Sequence, residues 1–212
     1  MARGDRLFDN VDIESLNDRQ LHVINAVDAS IFRCLEKYEV IYQIILQQKT
    51  DMASNLVYLV WELADWLERT RKLLGLGVGF DRKTIHYREA VSGLKKVENL
   101  RHKLQHFDRF VSSSVSNNQA LLGSVTACVC EGIESTGKHK RLRFESYNLG
   151  LLRAEKSLGS IEMPVRMLDT VDHVILHLGS ESVNLSEILR KLLKFYQEAR
   201  VELQQEYPIS GC

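Results

Sequence analysis

The chain has 212 residues, 44% hydrophobic and 26% charged, and its 28 basic and 28 acidic side chains give a formal net charge of zero. A chain of that length buries most of its apolar surface on folding, so an ordinary globular core is expected. Nothing in these totals points to nucleic acid, yet neutrality leaves room for a local basic patch, because phosphates meet the patch and not the sum.

The opening MARGDRLFDN lacks an apolar core segment and no run of 18 apolar residues occurs, so neither a signal peptide nor a membrane span is expected and the protein reads as cytoplasmic. Residues 1 to 16 read as a loose polar lead-in. From Asn17 or Asp18, Leu21, Ile24, Ile31, Leu35, Tyr38, Ile41 and Ile45 fall at mixed three- and four-residue steps, which predicts a helix to about Gln48. Thr50 and Asp51 offer a fresh N-cap, and Leu56, Leu59, Val60, Leu63, Leu67 and Leu74 carry a second helix to the glycines of GLGVG. So short a break implies antiparallel neighbours. Trp61 and Trp66 lie near the core stripe of this helix and read as packing anchors rather than base-stacking platforms.

A third helix is expected from near Asp81 through Ile85, Val91, Leu94, Val97, Leu100, Leu104, Phe107 and Val111, until the serines at 112 to 114 stop it. The texture then changes. SVTACVC, RLRFESYNL and DHVILHL are short and rich in strand formers, which predicts a small antiparallel sheet. Four cysteines, Cys34, Cys128, Cys130 and Cys212, are too few and too irregular for a disulfide framework. Cys128 and Cys130 with His139 do not make the four ligands and C-x2-C spacing of a closed zinc site, so a plain buried strand is preferred. Asn184 and Glu187 have capping-box spacing ahead of Leu185, Ile188, Leu189, Leu192, Tyr196, Ala199 and Leu203, the marks of a terminal helix. With only two prolines, Pro164 and Pro208, and no repeats, no linker announces a second domain. The expected fold is mainly α: a single domain over 1–212, a bundle of four or five helices with a β-rich insertion at 115–180 before the last helix.

The stretch ENLRHKLQHFDRF, residues 98–110, breaks the usual pattern of a mixed-charge outer face. At about 100° per residue, the apolar residues from Leu94 to Val111 fall in one arc of about 80°. His102, Gln105 and Arg109 lie opposite, and Arg101 and His106 flank them about 140° apart. The simplest reading is a solvated basic face, saturated by Glu62, Asp65 or Glu68 of the second helix.

The run Arg101-His102-Lys103-Leu104-Gln105-His106 resembles the signature of the HEPN superfamily (higher eukaryotes and prokaryotes nucleotide-binding): an arginine, a polar residue, and a histidine after four to six intervening positions. The resemblance covers about residues 17–114 and the last helix. It implies a HEPN-like helical bundle and a metal-independent endoribonuclease of the toxin or anti-phage defence type, working without a cofactor at a composite site in a homodimer. Arg101 would hold phosphate and His106 would act as general base or acid, with His102, Gln105 and Arg109 binding or orienting RNA. Such chemistry needs a base for the 2′-hydroxyl, a donor for the phosphorane charge and an acid for the leaving oxygen, roles that suit imidazole and guanidinium. The implied partners are RNA, a second copy and an antitoxin or other regulatory protein, with no membrane. Asp108 stands where toxins silenced on a tyrosine carry that residue, so that form of regulation is not implied. Two alternatives are a catalytically silent HEPN-like module binding nucleic acid, a nucleotide or a protein, and a helical scaffold in which Arg101 and His106 only complete surface ion pairs.

Overall fold

The structure is a computed structural model and describes residues 6–47, 53–106, 122–132, 140–148, 158–163 and 170–209. Among them are four long helices, α1 (Asp18–Leu46), α2 (Ala53–Gly75), α3 (Ile85–Gln105) and α4 (Leu185–Glu206), with five strands between α3 and α4. The protein is thus mainly helical with a small antiparallel sheet, placed before the last helix as the composition change predicts.

Polar caps set the helix starts. Asn17 accepts from the N–H of Gln20, whose side chain bonds back to the Asn17 N–H, completing a capping box for α1. Thr84 caps α3 through the Tyr87 N–H at 3.2 Å. The helix therefore begins at Ile85 and not near Asp81, whose carboxylate takes the Lys83 N–H in the preceding turn. Asn184 caps α4 through the Glu187 N–H. The reciprocal half of that box is missing, since the Glu187 side chain pairs with Lys191 instead.

Cross-contacts show an up-down-up-down bundle. Lys37 meets Glu62 and Ser30 meets Thr70 between α1 and α2, while Arg71 meets Glu98 and Asp65 meets Arg101 between α2 and α3. Gly93 of α3 faces Ile188, and Tyr87 packs edge-on to Phe195, between α3 and α4. Asp28 meets Tyr196, and Tyr38 meets Ser186, between α1 and α4. In each seam rising numbers on one helix meet falling numbers on the next, so every neighbouring pair is antiparallel.

The strands are β1 (Ser124–Gly132), β2 (Lys140–Asn148), β3 (Leu158–Met163), β4 (Thr170–Leu178) and β5 (Glu181–Asn184), ordered β3-β2-β1-β4-β5 and all antiparallel. Three had been expected, and β3 and β5 are additions. Val125, Ala127 and Val129 of β1 and Val174, Leu176 and Leu178 of β4 are buried and join the helical residues in one continuous core. A register shift between Cys128 and Val129 lets Val171 join them. Gly123, at φ +90°, enters β1 where a Cβ would stand 2.8 Å from the His177 carbonyl oxygen, so the close approach requires glycine. Trp61 donates to the Leu122 carbonyl at 2.8 Å, fastening β1 to α2.

The opposite side of the sheet carries a polar network beside Cys128, Phe144 and Ile175. His177 bonds Thr126, which meets Ser146, and Asn184 bonds His173 at 2.9 Å. Because Asn184 Oδ1 is occupied as the α4 cap, its amide N–H faces His173 Nδ1, so a neutral His173 carries its proton on Nε2. Cys128 is buried directly across from His173; the Cys130 side chain and His139 lie outside the described residues.

The first residues are not a loose lead-in, at least from Arg6 onward. Leu7, Val11 and Leu16 are buried, Val11 bridges Pro208, and Asp12 donates its N–H to the Tyr207 carbonyl. The segment closes over the seam between α1 and α4. There Asp28, 1% exposed, accepts from the Leu7 N–H at 3.1 Å and from the Tyr196 hydroxyl at 2.6 Å, with Arg6 3.7 Å away. Burial, then the bond to this carboxylate, pushes the Tyr196 phenol above its ordinary range.

Two outcomes follow for stability. Asp28→Ala removes the buried acceptor shared by the Leu7 N–H and the Tyr196 hydroxyl and should cost about 2–4 kcal/mol, read as a lowered urea midpoint. Burial also holds His177 below the usual histidine range. Its stabilising contribution is therefore present above the unfolded value and is lost as pH falls through the folded one. The unfolding free energy should fall as pH drops below about 6.5, and less steeply in His177→Asn.

Candidate functional site

The motif residues occupy the last turns of α3, and the seam between α2 and α3 decides how they are used. On α2, Asp65 and Glu68 are followed by Arg71 and Lys72; on α3, Lys95 and Glu98 are followed by Arg101. Steps of three and four keep each set on one helix face. Run antiparallel, the acidic part of α2 meets Arg101 and the basic part meets Glu98.

Arg101 is 24% exposed, its Nε 2.5 Å from Asp65 Oδ1 and its Nη1 in close contact with Glu68 Oε2. The Glu68 side chain is only 9% exposed, and its other oxygen takes Lys72 Nζ at 2.8 Å. Glu98 accepts from Arg71 at 2.5 Å and pairs with Lys95. The Lys95 hydrogen bond first, with the charge of Arg71 behind it, holds the Glu98 carboxyl below the usual carboxylate range. A planar guanidinium shared by two carboxylates makes a directed clamp between the helices. Asp65 and Glu68 thus fill the role open to them in the simplest reading of the sequence, whereas Glu62 pairs with Lys37.

His102 and His106 are both exposed, and their rings meet edge-on with centroids 4.8 Å apart. His106 is the C-cap, at φ −100° and ψ 41°, its N–H bonded to the His102 and Lys103 carbonyls. Gln105, the last helical residue, is also exposed. Lys103 pairs with Glu181 of β5. Arg109, with Phe107 and Val111 of the expected stripe, lies outside the described residues, and Leu104 is half-buried against the core. Histidine is therefore brought to histidine, while Arg101 is turned aside to α2. Sequence reasoning missed the Glu98 half of the seam, although the Lys95-to-Glu98 spacing was a readable signal.

Among the described residues, no three His, Cys, Asp or Glu side chains converge as metal ligands, and no helix is long and apolar enough to cross a membrane.

Arg101→Met leaves Glu68 with Lys72 alone and should destabilise the fold by about 1–3 kcal/mol, less than a fully buried pair because Asp65 is well solvated. Glu68→Gln in the same chain should recover part of that loss, so a double-mutant cycle in urea reads their coupling. His106→Ala should stay within about 0.5 kcal/mol of the parent. Comparison of the chain with protein-family models, with curated proteins and with solved structures returns no match.

Proposed function

We propose that the protein is a HEPN-like helical module that acts by binding a partner and does not cleave RNA. The observation that carries this reading is the engagement of Arg101 by Asp65 and Glu68. To grip a phosphate, the guanidinium would have to leave two carboxylates, one of them nearly buried. Its departure would leave the nearly buried Glu68 with Lys72 alone, which is unfavourable. The antiparallel bundle and the Arg101 to His106 spacing support the HEPN resemblance. The clamp gives the arginine of that motif a structural task.

A second reading, the metal-independent endoribonuclease of the toxin or defence type, is favoured by one specific observation. His102 and His106 stand side by side and exposed at the end of α3, where a facing copy in a homodimer would bring four imidazoles to one RNA strand. In that reading Arg101 and His106 are catalytic, and His102, Gln105 and Arg109 bind or orient the substrate.

Incubation of the purified protein with total RNA in EDTA separates the two. No cleavage above a buffer control is expected from the wild type. Cleavage that leaves 2′,3′-cyclic phosphate ends and disappears in His106→Ala would overturn the binding-module reading and establish the ribonuclease.

A further inference from the structure

Between α1 and α2 runs an open groove of about 450 Å3. Its floor is Ala26 and Ala29 of α1 with Trp66 and Leu73 of α2. The two helices contribute stretches of equal length, residues 26–33 and 66–73, each about 10 Å or two helical turns. Alanines on one wall permit the close approach of another backbone, and a half-buried indole on the other supplies contact area.

The rim has one sign of charge. Arg33, Arg69 and Lys72 border the groove, and among the described residues no carboxylate lines it. Their present contacts leave these cations available to a ligand. Arg33 pairs with Glu36 three residues on, both side chains about half exposed or more. Lys72 pairs with Glu68, which Arg101 also holds. Arg69 lies over the Trp66 ring at 4.7 Å. The Arg33 pair is exposed and within one helix, so it contributes little and exchanges readily; Lys72 can turn to a ligand because Arg101 still holds the nearly buried Glu68.

We propose that this groove docks an acidic amphipathic helix of a partner protein, its apolar stripe seated between Ala29 and Trp66 and its carboxylates paired with Arg33, Arg69 and Lys72. The inference rests on the binding-module reading and adds the surface and the partner. A trough two turns long between antiparallel helices fits a third helix lying along it, read through residues at i, i+3, i+4 and i+7. Charge complementarity selects an acidic one. An RNA strand is a poorer match, because the lining between the cations is apolar, with Ser30 buried, and offers base edges few hydrogen-bond partners.

The test uses fluorescence anisotropy of the full chain with synthetic helix-forming peptides of about four turns. All carry one leucine stripe, flanked by glutamates in one peptide and by lysines in its twin. The glutamate peptide should bind at least about tenfold more tightly than the twin. Arg33→Glu combined with Arg69→Glu should weaken it by a similar factor. Ala29→Trp, at an exposed position where folding is not at stake, should do the same by filling the groove. Equal binding of the two peptides, or full binding by both variants, would overturn the proposal. Displacement of the peptide by a single-stranded RNA oligonucleotide of equal affinity would overturn it in favour of a phosphate backbone. A parent dimer in light scattering that Ala29→Trp converts to monomer would overturn it in favour of a second copy. RNA cleavage by the wild type, with peptide binding intact, would instead overturn only the reading on which the inference rests.

Discussion

A carboxylate taken out of water needs donors or a counter-charge, and at Asp28 two donors converge on Oδ1 while the Arg6 guanidinium stands 3.7 Å from Oδ2. Its donors come from two other parts of the chain, the Leu7 N–H and the Tyr196 hydroxyl. They converge only if the N-terminal segment and α4 both lie against the same turn of α1. The requirement thus specifies one closure of the bundle, where apolar contact between α1 and α4 alone would tolerate a sliding register. The bridge of Val11 to Pro208 and the bond of Gln204 to the Asp9 carbonyl extend that closure along the surface.

The seam between α2 and α3 works by a different rule. Its charges are partly exposed, so screening limits what each pair contributes, but their order along the helices is complementary only in the antiparallel alignment. Arg101 belongs to this arrangement. A motif found by spacing carries no information about what else its residues touch, and here the neighbouring helix claims the arginine while the histidines remain on the surface. The α1/α2 groove and the motif meet at Glu68, which holds both Lys72 of the rim and Arg101 of α3.

Much of the helical frame could be read without coordinates because its signals are local. Asn17 or Asp18, and Asn184 with Glu187, marked two helix starts, and the leucine and isoleucine periods marked the core faces. The N-terminal segment was hidden because Leu7, Val11 and Leu16 are scattered among polar residues, and their burial depends on Pro208 and Tyr207, some two hundred positions away. β5 is only four residues long, although Gly179, at φ +61°, and Ser180 make the tight turn that a Gly-Ser pair signals. Periodicity gave the angle between Arg101 and His106. Arg101 stands at the border of the buried stripe, and its direction was decided by the acids across the seam.

The strand order has a consequence for how the chain assembles. The bundle seams from α1 to α3 join elements adjacent in sequence, whereas β1 pairs with β4 across the whole β2–β3 hairpin. The Asp28 to Tyr196 contact spans 168 residues. Loop-closure entropy disfavours such contacts until the intervening elements have condensed, so the three-helix unit is the natural nucleus and the sheet the next layer. The clasp made by the N-terminal segment and α4 comes last. That clasp joins distant parts of the described chain, so the Asp28 carboxylate gains its donors only once both have docked on α1.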